Sequence, residues 1–357
     1  MSGLLIPAAV YATILILHLA LPARWVKGYV TDERGGERLR YRLNGPLVLG
    51  ATLGLYWLAG WSGLVAWDFF WVHRVQGAAG ACLLGLAFTA GVVLTAPPTG
   101  KGLWADLYLG RLSNPQALSG RLDAKMFLYL VGAVMLELNV LSFAAHQRQV
   151  NGGVVAPGVV LYAAMFSFFV AEYLWFEEVH LYTYDFFAER VGFKLGWGCL
   201  AFYPFFYPVG LWSAARFPDP GAPSWLLALA AGVFVGGWVL SRGANLQKFT
   251  FKTRPASRFL GFLEPKTIEA GGQRLLYSGF WGLARHINYL GELGMAVGIT
   301  LALGRPLDPW PWLYPLYYVA LLVPRQADDD RRCQAKYGPL WDEYCRRVPY
   351  RIIPGIY

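Results

Sequence analysis

The chain has 357 residues, of which 56% are hydrophobic and 15% charged, with a formal net charge of +9 and a mean hydropathy of +0.38. That balance excludes an ordinary water-soluble domain and points to a bilayer as the solvent. No CxxC pair links the four cysteines and no HExxH motif holds the histidines, so no metal and no disulfide framework is expected.

Nine apolar stretches can be marked: 4–22, 46–67, 77–96, 126–146, 154–176, 195–215, 224–241, 289–304 and 309–324. Most reach the roughly 20 residues needed to cross hydrocarbon. The first lacks a preceding basic residue and a cleavage site, and reads as a retained span. The eighth is short and ends at Arg305-Pro306. Of the 31 Lys and Arg residues, 27 fall in the loops after stretches 1, 3, 5 and 7 or in the tail. This asymmetry predicts nine spans with the amino terminus outside and the basic tail in the cytoplasm. The positive charge is explained by that rule and by anionic lipid, without nucleic acid. The expected fold is all-α, a polytopic transmembrane helix bundle forming a single membrane domain over 1–357. A seven-span part, 1–241, precedes a part with two spans and a basic tail, 242–357, in which the segment after the seventh span, the last two spans and the tail are expected to form a cytoplasm-facing cofactor pocket.

The segment 242–286 is polar, basic and broken by Pro255, Pro265 and Gly271-Gly272, and loops of this length usually carry function. Neither a GxGxxG turn nor a GxxxxGK[ST] loop is present, so a Rossmann domain or P-loop is not supported. Lys248, Lys252, Arg254 and Arg258, with Arg325 at the mouth of the last span, form a cationic set able to bind phosphate. The same set could equally be a basic loop against lipid headgroups.

The blocks LRYRLNG (39–45), DLYLGRLSNPQ (106–116), EYLWFEEVHLYTYDFFAERVGFKLGWG (172–198), NLQKFTFK (245–252), LLYSGFWGLARHINYLGEL (275–293) and CQAKYGPLWDEYCRRVPYRIIPGIY (333–357) occur in this order. Together they resemble the sterol reductase family, which includes C14, C7 and C24(28) sterol reductases and the membrane part of lamin B receptor. Family members generally have ten spans, and the alignment of LRYRLNG sets the first span here opposite the family's second. The resemblance implies reduction of a sterol double bond in two ionic halves, with a proton added to one alkene carbon and hydride delivered by NADPH. It puts Lys248, Lys252, Arg325, Asp329 and Tyr337 at nucleotide-contacting positions, with Trp281, Arg285, Asn288 and Tyr289 in the adjoining wall and His286 orienting the nucleotide or a carbonyl. Lys252 stands where Arg is usual, which keeps charge but loses bidentate contact. Pro324, Asp328 and Cys199 replace a His, an Arg and an Asp of the family pattern.

Ionisable groups at membrane depth mark functional sites. The candidate proton donors are Glu172, Glu178 and Asp185, with Tyr173 and Tyr184 as hydroxyl relays; Glu177 adjoins them. Glu172 and Glu178 are expected on different sides of one helix. Asn139 is read as a tie between helices, Glu137 as facing a crevice, and the GRLSNP turn as a structured loop. The expected partners are a sterol substrate and membrane lipid; oligomeric state is not readable. Two other readings stand beside the reductase. Isoprenylcysteine carboxyl methyltransferases, which use S-adenosylmethionine, share a block matching Arg285, His286, Tyr289, Gly291 and Glu292, and a tail matching Tyr344, Val348, Pro349, Arg351 and Pro354. A non-catalytic sterol-binding protein is the third.

Overall fold

The computed structural model describes residues 3–31 and 36–357. Each of the nine apolar stretches is helical, and the chain divides into two compact units, Met1–Pro220 and Gly221–Tyr357. Among the described residues, five helices are long and apolar enough to cross a membrane: Gly3–Ala20, Arg74–Leu94, Ala124–Val150, Pro157–Trp175 and Ser224–Thr253. The remaining stretches are shorter or interrupted by proline. The protein is a multi-pass membrane helical protein; among the described residues the strands form three small two-stranded sheets.

In the first unit, α1 (Ile6–Ala20) is followed by the antiparallel strands β1 (Arg24–Thr31) and β2 (Arg38–Leu43), then α2 (Gly45–Trp61). The sequence reading contained no hairpin here. Its purpose is visible in the block LRYRLNG. The Arg42 Nε donates to the His18 carbonyl (3.2 Å) and its Nη2 to Leu19 (3.3 Å). Asn44 Nδ2 donates to His18 (3.0 Å) and Arg121 Nη2 to Leu19 (2.8 Å). The last carbonyls of a helix have no partners inside it, and these side chains supply them for α1.

A single turn at Phe69–Val72, then α3 (Arg74–Leu94) and the short α4 (Leu103–Leu109), follow before the hairpin of β3 (Gln116–Ala117) and β4 (Leu122–Asp123). The guanidinium of Arg111 donates to the Val93 (2.9 Å) and Ala96 (2.7 Å) carbonyls at the end of α3 and to Asp106 of α4 (2.7 Å). The GRLSNP turn is therefore structured. Gly110 at φ +94° lies against the backbone of Val191 and Gly192, where no side chain fits.

The long central helix α5 (Ala124–Val150) is the most buried span and packs on α6 (Pro157–Trp175). Ser167 of α6 donates to Glu137 of α5 at 2.6 Å. After the single turn α7 (Glu177–His180), the sixth apolar stretch is a helix in pieces: Phe193–Trp197, a π-turn at Gly198–Phe202, Tyr203–Phe206 and Val209–Ala214. Pro204 and Pro208 cause the breaks, because each lacks an N–H and frees the carbonyl four residues before it. Those are the carbonyls of Leu200 and Pro204. The Tyr11 hydroxyl of α1 donates to Leu200, and Asn139 Nδ2 of α5 donates to Pro204 at 2.8 Å. Asn139 is thus a tie between helices, as expected from the sequence.

In the second unit, α8 (Ser224–Thr253) precedes the hairpin of β5 (Thr267–Ala270) and β6 (Gln273–Leu276); then come α9 (Ile287–Ala302), α10 (Pro309–Tyr337) and α11 (Pro339–Arg347). Gly271 and Gly272 both have positive φ, +55° and +76°, as a two-residue hairpin turn requires. A helix of 30 residues is about 45 Å long, well beyond a hydrocarbon core of about 30 Å. The polar remainder of α8, from Arg242 to Thr253, carries Gln247, Lys248 and Lys252 past its apolar half. Helices α8 and α9 touch backbone to backbone through Gly237, Gly291, Gly294 and Gly298, the small-residue contact of membrane helices.

Candidate functional site

In the second unit the connector after α8 and the tail after α10 share one core. Ile268 of β5 packs with Leu340, Trp341, Tyr344 and Val348, and Tyr337 packs against the same cluster. Backbone bonds join the segment before α9 to the tail: Arg285 N donates to the Tyr350 carbonyl (3.0 Å) and His286 N to that of Arg351 (2.7 Å). The Arg285 side chain, almost fully buried, donates to the carbonyls of Val348 and Pro349, both at 3.2 Å, and its Nη2 lies 3.6 Å from Asp330. The Tyr344 hydroxyl donates to the Trp281 carbonyl at 3.0 Å. Arg285 and Tyr344 therefore fasten the tail against the 278–286 segment from both ends.

His286 sits between two carboxylates of α10, with Nε2 at 3.4 Å from Asp330 and Nδ1 at 3.9 Å from Asp329. Its ring stacks on Tyr289 at 5.1 Å. Burial alone would raise the Asp330 carboxyl, but the hydrogen bond from His286 and the charges of Arg285 and Arg351 outweigh it and hold the group below the usual carboxylate range. Gln326 Nε2 also donates to Asp330, at 2.5 Å. Sequence reading named Asp329 and missed Asp330. The available signal was the helical phase: Gln326 and Asp330 are one turn apart on α10 and share a face.

Trp281 is held by its indole N–H, which donates to the Ala244 carbonyl of α8 at 2.8 Å, and the Lys248 ammonium lies 5.5 Å from its ring centre. Gln247 fixes the approach to this segment, donating to Ser278 and accepting from the Phe280 N–H, both at 3.0 Å. The Cys333 thiol of α10 is pushed up by burial to about 12; Asp329 adds to the rise and Lys248 opposes it. Lys248 is thus within electrostatic reach of α10. Asn288 Nδ2 reaches Asn245 at 3.5 Å, and Asn288 Oδ1 is buried without a hydrogen-bond partner among the described residues. Trp281, Arg285, His286, Asn288, Tyr289, Lys248 and Asp329 form one neighbourhood. Arg325 lies one turn before Asp329 on α10, Lys252 one turn after Lys248 on α8, and Tyr337 in the tail core. Arg258 is exposed and paired with Glu264.

In the first unit the candidate proton donors surround the end of α6. That helix stops at Trp175 and Phe176 leaves helical geometry (φ −97°, ψ 29°), so Glu172 and Glu178 do not share one continuous helix. The break turns Glu177 back toward α2, where its carboxylate accepts from the Gly45 N–H at 3.0 Å, supplying an acceptor to the buried start of that helix. Glu178 pairs with Arg24 at 2.7 Å. The Tyr173 ring stacks on His180 at 3.9 Å, and the Tyr184 ring meets Phe187 at 5.9 Å. Glu172 is half-buried on the last turn of α6. Lys125, fully buried and absent from the sequence reading, donates to the backbone carbonyls of Asp185 (3.0 Å), Phe186 (2.9 Å) and Glu189 (2.7 Å).

Burial pushes the Glu177 carboxyl from 4.5 up to about 7, although the Gly45 bond and Arg24 pull the other way. A carboxyl with a raised folded-state pKa stabilises the fold fully below the unfolded value and loses that contribution as pH rises through the folded value. The full swing is about 3 kcal/mol. The apparent Tm of the wild type should therefore fall between pH 5 and pH 8. Glu177→Gln, which keeps an acceptor for Gly45, should flatten that slope and melt higher than the wild type at pH 8. An unchanged slope in the variant would exclude Glu177 as the source.

A family model described as "Ergosterol biosynthesis ERG4/ERG24 family" matches residues 4–357. The chain is 30% identical to the Delta(14)-sterol reductase of Arabidopsis thaliana, covering 99% of this chain and 98% of that protein. It is 32% identical to Delta(14)-sterol reductase erg24 of Schizosaccharomyces pombe (97% and 83% covered). It is 37% identical to Delta(14)-sterol reductase TM7SF2 of Mus musculus (94% and 81% covered). With the match running along almost the whole chain, this protein belongs to the ERG4/ERG24 ergosterol biosynthesis family.

Proposed function

We propose that the chain reduces the C14 double bond of a sterol, with NADPH bound by the second unit on its cytoplasmic side. The observation that carries this reading is the joining of connector and tail around Arg285, His286 and Asp330. Near it lie Lys248 and Asp329 of the positions that the resemblance assigns to nucleotide, and Trp281 and Tyr289 of the adjoining wall. The names of the relatives support the substrate class and the double bond. Their coverage favours reduction over methyl transfer, because the match is not limited to the RHxxY block and the tail.

The residues fit a dinucleotide. Lys248, Lys252 and Arg325 supply cationic donors for phosphates. Trp281, held by Ala244, offers a flat ring, and the buried Asn288 Oδ1 is an acceptor for an amide N–H. Arg285 and Asp330 keep the wall in place rather than contact phosphate, since each is already engaged in the tail. Bound there, NADPH supplies the hydride. The proton must come from a protein acid. The candidates are Glu172, Glu178 and Asp185, with Tyr173 and Tyr184 as relays; Glu172 and Asp185 are half-buried and Glu178 is paired with Arg24.

The test is purified protein in lipid nanodiscs, given NADPH and separate C14-, C7- and C24-unsaturated sterols. Saturation of the C14 substrate is expected; inertness toward all three with consumption of S-adenosylmethionine would overturn the reading. In the same assay Arg325→Ala should raise the KM for NADPH more than that for NADH. Equal effects would remove Arg325 from the 2′-phosphate.

A further inference from the structure

Helix α4 has a face that the first unit does not cover. Trp104 is 83% exposed and Tyr108 53%, with Leu103 also open, while Asp106 on the other side is buried. Trp104 and Tyr108 are one turn apart and share a face. Such a surface is costly in water, and its composition of aromatic rings and leucine beside Lys101 is that of the membrane interface.

The depth of α4 is fixed by bonds. Arg111 binds Asp106 of α4 and, with its other nitrogen, the Val93 and Ala96 carbonyls at the end of the membrane-spanning α3. The carboxylate of Asp106 also accepts from the Thr99 N–H at 3.3 Å. Two links thus hold α4 at the level where α3 leaves its apolar stretch. Gly110, pressed on Val191 and Gly192, and the contact of the Tyr108 ring with Phe193 at 6.3 Å fix its rotation. The helix α3 to which it is tied has exposed leucines of its own, Leu83, Leu86 and Leu94.

We infer that α4 is an interfacial helix, lying in the headgroup region of the bilayer that α3 crosses, with Trp104 and Tyr108 inserted among the lipids. The partner is the bilayer itself; a second copy of the chain is the competing occupant. The test uses the full chain in nanodiscs of phosphatidylcholine and phosphatidylglycerol. With 15 tryptophans present, the Trp104 signal is the difference between wild type and Trp104→Phe. Lipid brominated near the top of the acyl chain should remove roughly half of that difference emission or more, and aqueous iodide little of it. Tyr108→Trp placed in the Trp104→Phe background should behave in the same way. Iodide quenching without lipid quenching would overturn the inference. So would emission insensitive to both quenchers but dependent on the number of copies per disc.

Discussion

Gly291→Leu should abolish the folded protein, and Gly291→Ala should lower its apparent Tm sharply. A β-carbon at Gly291 would stand 2.3 Å from the Ser241 nitrogen and 2.5 Å from the Gly237 carbonyl oxygen, both backbone atoms that cannot rotate away. Gly237 meets Met295 N at 2.5 Å in the same sense, and Gly298 meets Phe234 N at 2.7 Å. Helices α8 and α9 would have to separate. One added methyl in a tight contact costs about 1–3 kcal/mol, and a leucine more. The separation also pulls apart Ser241 and Glu292, bonded at 2.6 Å, and displaces the start of α9, where His286 sits. Gly294→Ala, whose β-carbon would meet Gly237 Cα at 3.1 Å, should be milder. Gly236→Ala should be neutral or slightly stabilising, because nothing lies within 4 Å and alanine favours the helix. Thermal melts in detergent would test the order 291, 294, 236; equal effects at the three positions would contradict backbone contact.

Arg285→Met should detach the tail and, on the proposed function, nucleotide binding with it. The substitution removes two bonds to the Val348 and Pro349 carbonyls and leaves Asp330 with Gln326, His286 and Arg351. Breaking a buried pair on one side costs about 3–5 kcal/mol. Limited proteolysis should then cut after α10, and the Kd for NADPH should rise by ~100-fold or more. Arg285→Lys keeps the charge but cannot reach two carbonyls and a carboxylate from one planar group, and should fall between. Asp330 has a depressed pKa, so its contribution is present above the unfolded value of 3.8 and lost as pH falls through the folded one. Tail release by acid should accordingly appear only below about pH 4. A protease-resistant tail with normal NADPH affinity in Arg285→Met would refute the arrangement.

The spans were legible because a run of about twenty apolar residues has few alternatives in water or lipid. Smaller features were not. Residues 24–31, RWVKGYVT, form a strand although charges interrupt them, because β2 delivers Arg42 and Asn44 to the end of α1, a long-range requirement that no local pattern encodes. Within the acidic run 328–330, only the fold shows that Asp330 meets Arg285 while Asp328 turns outward to Arg331 and Arg332. Among Glu172, Glu177 and Glu178, helix phase failed because the backbone leaves the helix at Phe176. The connector-to-tail contact was expected from the polar, broken segment 242–286 and the basic tail, and Arg285, which fastens it, was among the positions named.

The segmented sixth stretch bears on how the protein is made. A helix arriving in the bilayer during synthesis normally brings all of its own hydrogen bonds. This one arrives two short, at Leu200 and Pro204, and an unmet carbonyl in hydrocarbon costs several kcal/mol. Its donors, Tyr11 and Asn139, belong to spans synthesised earlier. The segment can settle only against partners already in place, so the order of translation matches the order in which the bundle can close.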